Sequence, residues 1–409
     1  MLFRPLPTAP PRTCAPCPGA SSLRAPSSRA GGRAGLHRGR AGRAATAVAT
    51  AGAMLAIALL MSPAAQARQD MPGDGGSTDG GLERARQALG ELSATYGDTA
   101  RGDWRNIHAW QRFVIISTLS DYELLSADRR FHATAARALA NRRGLDGNDD
   151  DLWVAQADLD MARLTHAPGL LADARRIFDM VAQRYWDTRC RGGVWWDHAR
   201  TYKNAITNEL FLATAVRLYQ QTHDDTYRDW AGRSWAWLRD SGMINASGLV
   251  NDGLDAHCAN NAGPAYSYNQ GVILDALAGV AALSHDTRAT AMAARIAMAG
   301  IAASQSPDGG FHEARDPMNM DARIFRGIFV RALGHLVPVL PDGPERATLS
   351  DWLVREGEHV WATRRPPARF SATWGAGDPF IPGAQAQVTA AALFLATVRD
   401  SGGTKAPAP

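Results

Sequence analysis

Residues Asn148-Asp149-Asp150-Asp151-Leu152-Trp153 run into a helical pattern from Val154 to Leu164, which Thr165-His166-Ala167-Pro168 closes. Gly144 can end one helix and Asn148 can cap the next, so the acids fall in a first helical turn. Another helical pattern starts directly behind the tight polar turn, and this paired unit recurs along the chain. The apolar spacing has a period near 3.6, without sustained strand alternation. Candidate helices lie near 82–97, 105–125, 129–142, 149–165, 168–187 and 203–221. Six more lie near 225–241, 267–284, 286–304, 321–338, 343–363 and 384–399. Turns such as 165–168 and Thr222-His223-Asp224-Asp225 are short. The links 188–202, 242–266, 305–320 and 364–383 are long and rich in Gly, Asn, Asp and aromatic residues. Helices alternating around a ring would gather tight turns on one face and long loops on the other. The expected fold is therefore all-α, an (α/α)6 barrel of six helical hairpins over residues 82–400. A face of long loops is where function would sit, and Asn148–Trp153 opens on that face.

Neighbouring side chains in a first turn diverge by about a third of a circle, so two carboxyls can face one sugar ring. Glycoside hydrolysis with retention uses such a pair, about 5 to 5.5 Å apart. The residues alone leave a plainer reading open, because acids at a helix N-terminus are favoured by the macrodipole. A calcium loop is excluded, since the EF-hand template wants Gly where Asp151 stands and Glu where Ala157 stands.

The formal charge of the chain is +4, yet residues 1–67 hold eight Arg and no Lys, Asp or Glu. The remainder is thus acidic, at about −4, which argues against nucleic-acid binding. Arg38, Arg40 and Arg43 precede an uncharged run from Ala44 to Leu60, and Ala65-Gln66-Ala67 offers small residues to a signal peptidase. Residues 1–67 are therefore expected to be a secretory leader cleaved after Ala67. The part before Arg38 is long for such a leader, as a start codon assigned too far upstream would explain. An uncleaved membrane anchor is the alternative. Residues 68–81 are expected to be a flexible linker and 401–409 a disordered tail. The protein is then exported, periplasmic or extracellular, without stable membrane insertion after cleavage. Cys14 and Cys17 fall in the leader; Cys190 and Cys258 could pair or remain two free thiols.

The long links carry recognisable motifs. Gly192-Gly193-Val194-Trp195-Trp196-Asp197 and the run Tyr202–Leu212 resemble glycoside hydrolase family 76. So do Gly248–Asp255, Tyr268-Asn269-Gln270-Gly271, Phe325–Arg331 and Phe370–Gly375, in order over about residues 85–400. The resemblance implies an (α/α)6 barrel and endo-acting α-1,6-mannanase activity with retention. It further implies that an adjacent Asp pair, followed by two variable residues and a Trp, is catalytic, here Asp149, Asp150 and Trp153. Asp149 would be the nucleophile and Asp150 the acid and base. Two adjacent carboxyls do not both ionise cheaply, so Asp150 is expected to hold a proton while Asp149 stays anionic, with an optimum below neutrality. The family usually has Lys at Arg326, an aromatic residue at Val154, and a Cys pair where Met318 and Met320 occur here. A related fungal branch transfers glycolipid-anchor glycans.

Trp195 and Trp196 are candidate sugar platforms, although adjacent indoles also plug loop bases. Asn204 opens a helix with Asn208 and Glu209, so it either caps that helix or meets sugar hydroxyls. Asp252 is a turn residue by type and a candidate hydroxyl acceptor. Tyr268, Asn269 and Gln270 suit a neutral polyol, and Arg326 is either functional or part of a solvated face. Trp110, Trp230, Trp235 and Trp237 have core-like spacing. No HExxH or His pair at ligand spacing occurs, so neither metal nor cofactor is expected. The expected partner is α-mannan or a mannose-containing oligosaccharide, bound by a monomer. The alternatives are a transglycosidase and a non-hydrolytic sugar-binding or epimerase-type protein.

Overall fold

A computed structural model describes residues 78–401 apart from 99, 285–286, 306–309, 315–316 and 376. The expected leader, most of the expected linker and residues 402–409 lie outside the described residues. Six helices form an outer layer: α1 (Thr78–Glu91), α3 (His132–Leu139), α5 (Pro168–Tyr185), α7 (Asp225–Asp240), α9 (Thr287–Ser304) and α11 (Pro344–Ala362). Six form an inner ring: α2 (Gln111–Ser126), α4 (Asn148–Thr165), α6 (Ala205–Thr222), α8 (Ser267–Ser284), α10 (Ala322–Leu336) and α12 (Ala384–Ser401). Each inner helix packs on the next, and α12 returns to α2, which closes the ring.

Burial separates the two layers. Outer helix α5 buries Ala174, Ile177, Phe178, Val181 and Ala182, one stripe at the spacing of an amphipathic helix. Inner helix α2 buries every residue from Gln111 to Tyr122, and α6 every residue from Ala205 to Val216. A helix enclosed on all sides has no polar face, so its polar residues must find partners inside the protein.

Two expected boundaries shift most. The first helix begins at Thr78, so residues 78–81, read as linker, are helical. A Cβ on Gly81 would come within 2.6 Å of Val398, so glycine there permits close packing on α12. The second helix begins at Gln111, because Gly97–Asp98 (β1) and Asp103–Trp104 (β2) form a small antiparallel hairpin before it. Every link into an inner helix is longer than the tight turns that leave one, so the long loops gather around the N-terminal ends of the ring.

The opposite end is tied by charge. Arg331 of α10 donates from Nε to Asp121 of α2 at 2.7 Å and from Nη2 to Asp160 of α4 at 3.3 Å, and its Nη1 lies 3.9 Å from Asp275 of α8. Arg399 of α12 binds Asp121 at 2.8 Å, Arg217 of α6 binds Asp160 at 2.5 Å, and His335 binds Asp275 at 2.8 Å. All six inner helices therefore contribute a charged group. Burial pushes the Asp121 carboxyl up, but Arg331 and Arg399 outweigh it and hold it well below the ordinary range. A carboxyl held low in the fold adds stability that is complete above its unfolded value, about 3.9. That stability is lost as pH falls through the folded value. Arg331→Met should therefore cost about 3–5 kcal/mol at neutral pH, because it takes one shared cation from three buried carboxylates at once. Urea denaturation measures this; a loss below about 1 kcal/mol would mean that the belt does not hold the ring.

Candidate active site

The long loops are pinned to the inner helices by side-chain amides. Asn208, the fourth residue of α6, accepts from the Val194 N–H at 2.7 Å and donates to the Val194 carbonyl at 3.0 Å. Gln270, the fourth of α8, does the same to Val250, at 2.8 Å in each direction. Gln387, the fourth of α12, accepts from the Phe370 N–H at 2.7 Å and donates to the Ala368 carbonyl at 2.8 Å. Arg326, the fifth residue of α10, makes a one-sided version of this contact and donates to the Phe311 carbonyl at 2.6 Å. Asn148 donates to the Trp195 carbonyl at 2.7 Å rather than capping its own helix, whose N-cap is Gly147. Within the first of these loops Gly193 adopts φ +87° and packs on Trp237, where any Cβ would collide with the indole. The Cys190–Cys258 disulfide, left open by the sequence, joins the loop of Trp196 to the loop of Asp252.

The pinned loops enclose a cavity of about 630 Å³ at the N-terminal end of the ring. Its lining brings together Asp149, Asp150, Trp153, Trp196, Asn204, Asp252 and Tyr268 from the expected set. Asp149 Oδ2 accepts from Trp196 Nε1 at 3.0 Å, and Asp150 Oδ2 accepts from the Asp146 N–H at 2.9 Å. Burial, and then the charge of Asp150, push the Asp149 carboxyl up to about 8. Burial also pushes Asp150 up, to about 6, with Asp151, Asp146 and Asp321 adding repulsion against the opposing Asp146 hydrogen bond. Of the two carboxyls, Asp149 feels the stronger upward push. The sequence leads to the expectation of a proton on Asp150, whereas the stronger desolvation of Asp149 favours a proton there before substrate binds.

Asp252 accepts from the Tyr202 hydroxyl at 2.8 Å, which also accepts from the Asn261 amide at 2.7 Å. Asn204 both caps α6, accepting from the Thr207 N–H at 3.3 Å, and lines the cavity. Tyr268 stacks on Phe325 at 3.9 Å between ring centres, and Trp153 on Trp110 at 5.8 Å.

Four expected residues do not line the cavity. Trp195 is buried beside Lys203, 4.7 Å from its ring, and donates to Asp187 at 2.7 Å. Asn269 is fully buried, and Gln270 is spent on clasping Val250. Arg326 is also buried, 5.2 Å over the Trp374 ring. Conversely Trp110, read as core, lines the cavity together with His108, Tyr202, Asp321 and Phe325. Their shared signal was position, since each stands just before or at the start of an inner helix.

A sequence model described as glycosyl hydrolase family 76 matches residues 90–402. The chain belongs to this family. Among its relatives is mannan endo-1,6-alpha-mannosidase DCW1 of Eremothecium gossypii, 28% identical over 282 residues, covering 62% of this chain and 60% of the relative. The Saccharomyces cerevisiae DCW1 protein is 29% identical over 234 residues, covering 52% and 51%. The chain thus spans about half to three-fifths of the length of these curated relatives. The family 76 α-1,6-mannanase of Salegentibacter sp. HEL1_6 has the same fold, with TM-score 0.70 at 21% identity over 78% of this chain and 98% of that one. The expected (α/α)6 barrel is the fold found.

Gln270→Ala would leave the Val250 N–H and carbonyl buried without partners. It should cost about 1–3 kcal/mol and speed amide hydrogen exchange in residues 242–266 above that of the ring. Unchanged exchange in that loop would show the clasp to be dispensable.

Proposed function

We propose that this family 76 protein is a retaining, endo-acting hydrolase of α-1,6-linked mannan or a related α-mannoside. Asp149 is the nucleophile and Asp150 the acid and base. The observation carrying this reading is the adjacent carboxyl pair, both members raised by burial, facing a cavity with aromatic walls. Among the described residues the lining has five carboxylates, Asp146, Asp149, Asp150, Asp252 and Asp321, and no Lys or Arg. Such a wall suits neutral sugars and opposes uronates. The names of the curated relatives support the linkage. A solved Salegentibacter α-1,6-mannanase variant with two adjacent aspartates replaced is inactive and holds α-1,6-mannotriose. The Cys190–Cys258 bridge and the signal-like leader support export.

In the first step an Asp149 oxygen attacks the anomeric carbon while the glycosidic C–O bond breaks and Asp150 gives its proton to the departing oxygen. Positive charge developing at the anomeric carbon favours the Asp149 anion, which draws the pair's single proton to Asp150. In the second step Asp150 takes a proton from water, whose oxygen displaces Asp149.

The pair holds one proton between its two titrations, at about 6 and about 8. The pH profile of kcat/KM should be a bell with its maximum near neutrality, above the acid-side optimum expected from sequence. Trp196→Phe removes a hydrogen bond that favours the Asp149 anion, so the upper limb should move to higher pH by about one unit. A profile flat from about pH 4 to about 8 would sink this account.

The roles are tested with an α-mannoside carrying an activated aryl leaving group. Asp150→Ala should release a burst of phenol before a slow steady state, because departure no longer needs an acid but water still needs a base. Asp149→Ala should give neither burst nor recovery, and in the wild type proton NMR should detect the α-anomer first. Rescue of Asp149→Ala instead would reverse the roles, and first appearance of the β-anomer would replace retention by inversion.

A further inference from the structure

The cavity has a different wall beside each catalytic carboxyl. Asp149 is held by Trp196, and its charge reaches Tyr268, whose hydroxyl burial and then Asp252 raise. Asp150 instead accepts from Asp146 and feels the charge of Asp321. Asp321 immediately precedes α10, three helices around the ring from α4, so it faces the pair from the opposite wall. Its Oδ1 accepts twice, from His108 Nδ1 at 2.5 Å and from Trp110 Nε1 at 2.9 Å. Among the described residues its Oδ2 has no hydrogen bond, although the carboxylate lines the cavity. Neither the charged belt nor the loop clasps use this residue. A rim carboxylate aimed by two donors on one oxygen, with the other left free, is built to accept from something that enters the cavity.

We propose that Asp321, aimed by His108 and Trp110, receives the leaving-group glycan by accepting a hydrogen bond from a hydroxyl of the sugar that departs on the Asp150 side. The inference rests on the role of Asp150 as acid, since the departing oxygen must lie beside the group that protonates it. The stacked Trp110 and Trp153 indoles give that sugar an apolar surface next to its acceptor. During glycosyl transfer, an incoming acceptor alcohol would occupy the same place. Asp321 is thus a specificity residue for what leaves and what arrives, while Asp252 serves the sugar that is attacked.

The test compares two substrates of the full chain. An α-1,6-mannan oligosaccharide fills both halves of the cavity. An activated aryl glycoside of α-1,6-mannotriose presents no sugar to the Asp150 half. Asp321→Asn turns the free acceptor into a donor, so it should lower kcat/KM on the oligosaccharide about tenfold or more beyond its effect on the aryl glycoside. Most of that loss should appear in KM. Asp252→Asn should lower both substrates alike. Activity on the aryl glycoside also reports that the variant is folded. Equal losses on the two substrates for Asp321→Asn, or no loss on either, would overturn the assignment while leaving the proposed reaction intact. Wild-type protein that cleaves neither substrate would overturn the reaction and, with it, this role for Asp321.

Discussion

Arg331 reaches carboxylates on three other inner helices, and around it Arg217, Arg399 and His335 bring in the remaining contacts. Apolar helix surfaces can slide past one another by a fraction of a turn at small cost. Hydrogen bonds weaken steeply when distance and angle drift, so charged contacts of 2.5 to 3.3 Å permit little slip. Buried ion pairs are a poor source of net stability compared with apolar residues of the same volume. Their contribution here is alignment. With the helices locked at one end, their other ends can stand apart around a cavity without the ring collapsing into it.

The cavity in turn depends on loops that stay put. Six helix N-termini leave unsatisfied N–H groups, and the links arriving there carry buried backbone of their own. Asn208, Gln270 and Gln387 answer the second problem with one device, an amide that gives and takes a hydrogen bond with the incoming strand. The loops so held desolvate the acid pair. Burial is the largest cause of both upward shifts, and the loop residue Trp196 touches Asp149 directly. The chemistry of the pair therefore originates in packing at some distance from it.

How much of this could be read beforehand follows from what kind of signal each residue carries. Twelve helices were legible because hydrophobic period is a local property, and the acid pair because adjacency is written in the chain. Gly80-Gly81 misled, since glycine reads as linker by type while Gly81 serves a close helix contact. Trp195 and Trp196 are indistinguishable by composition. Which one faces the cavity depends on Lys203 and Asp187, which box in the first. By type Gln270 suits a sugar and Arg326 either a sugar or a solvated face, because a buried backbone partner leaves no trace at one position. A trace does exist at the level of repeats. Gly-Gly-Val194, Gly-Leu-Val250 and Gly-Gly-Phe311 are each followed, 14 to 20 residues later, by the side chain that clasps them.

Each clasp fixes one short stretch of backbone, and beyond it the ring holds a loop through a few further contacts such as Asn148 on the Trp195 carbonyl. Chain between a clasp and the next helix can lengthen, shorten or change composition while the helices beneath keep their places. Asp149 and Asp150 stand on α4 itself, whereas Trp196 and Asp252 stand on clasped loops. The reacting groups and the groups that meet the glycan are therefore inherited on separable parts. A lineage built on this ring can alter what it grips, one loop at a time, without reinventing how it cuts.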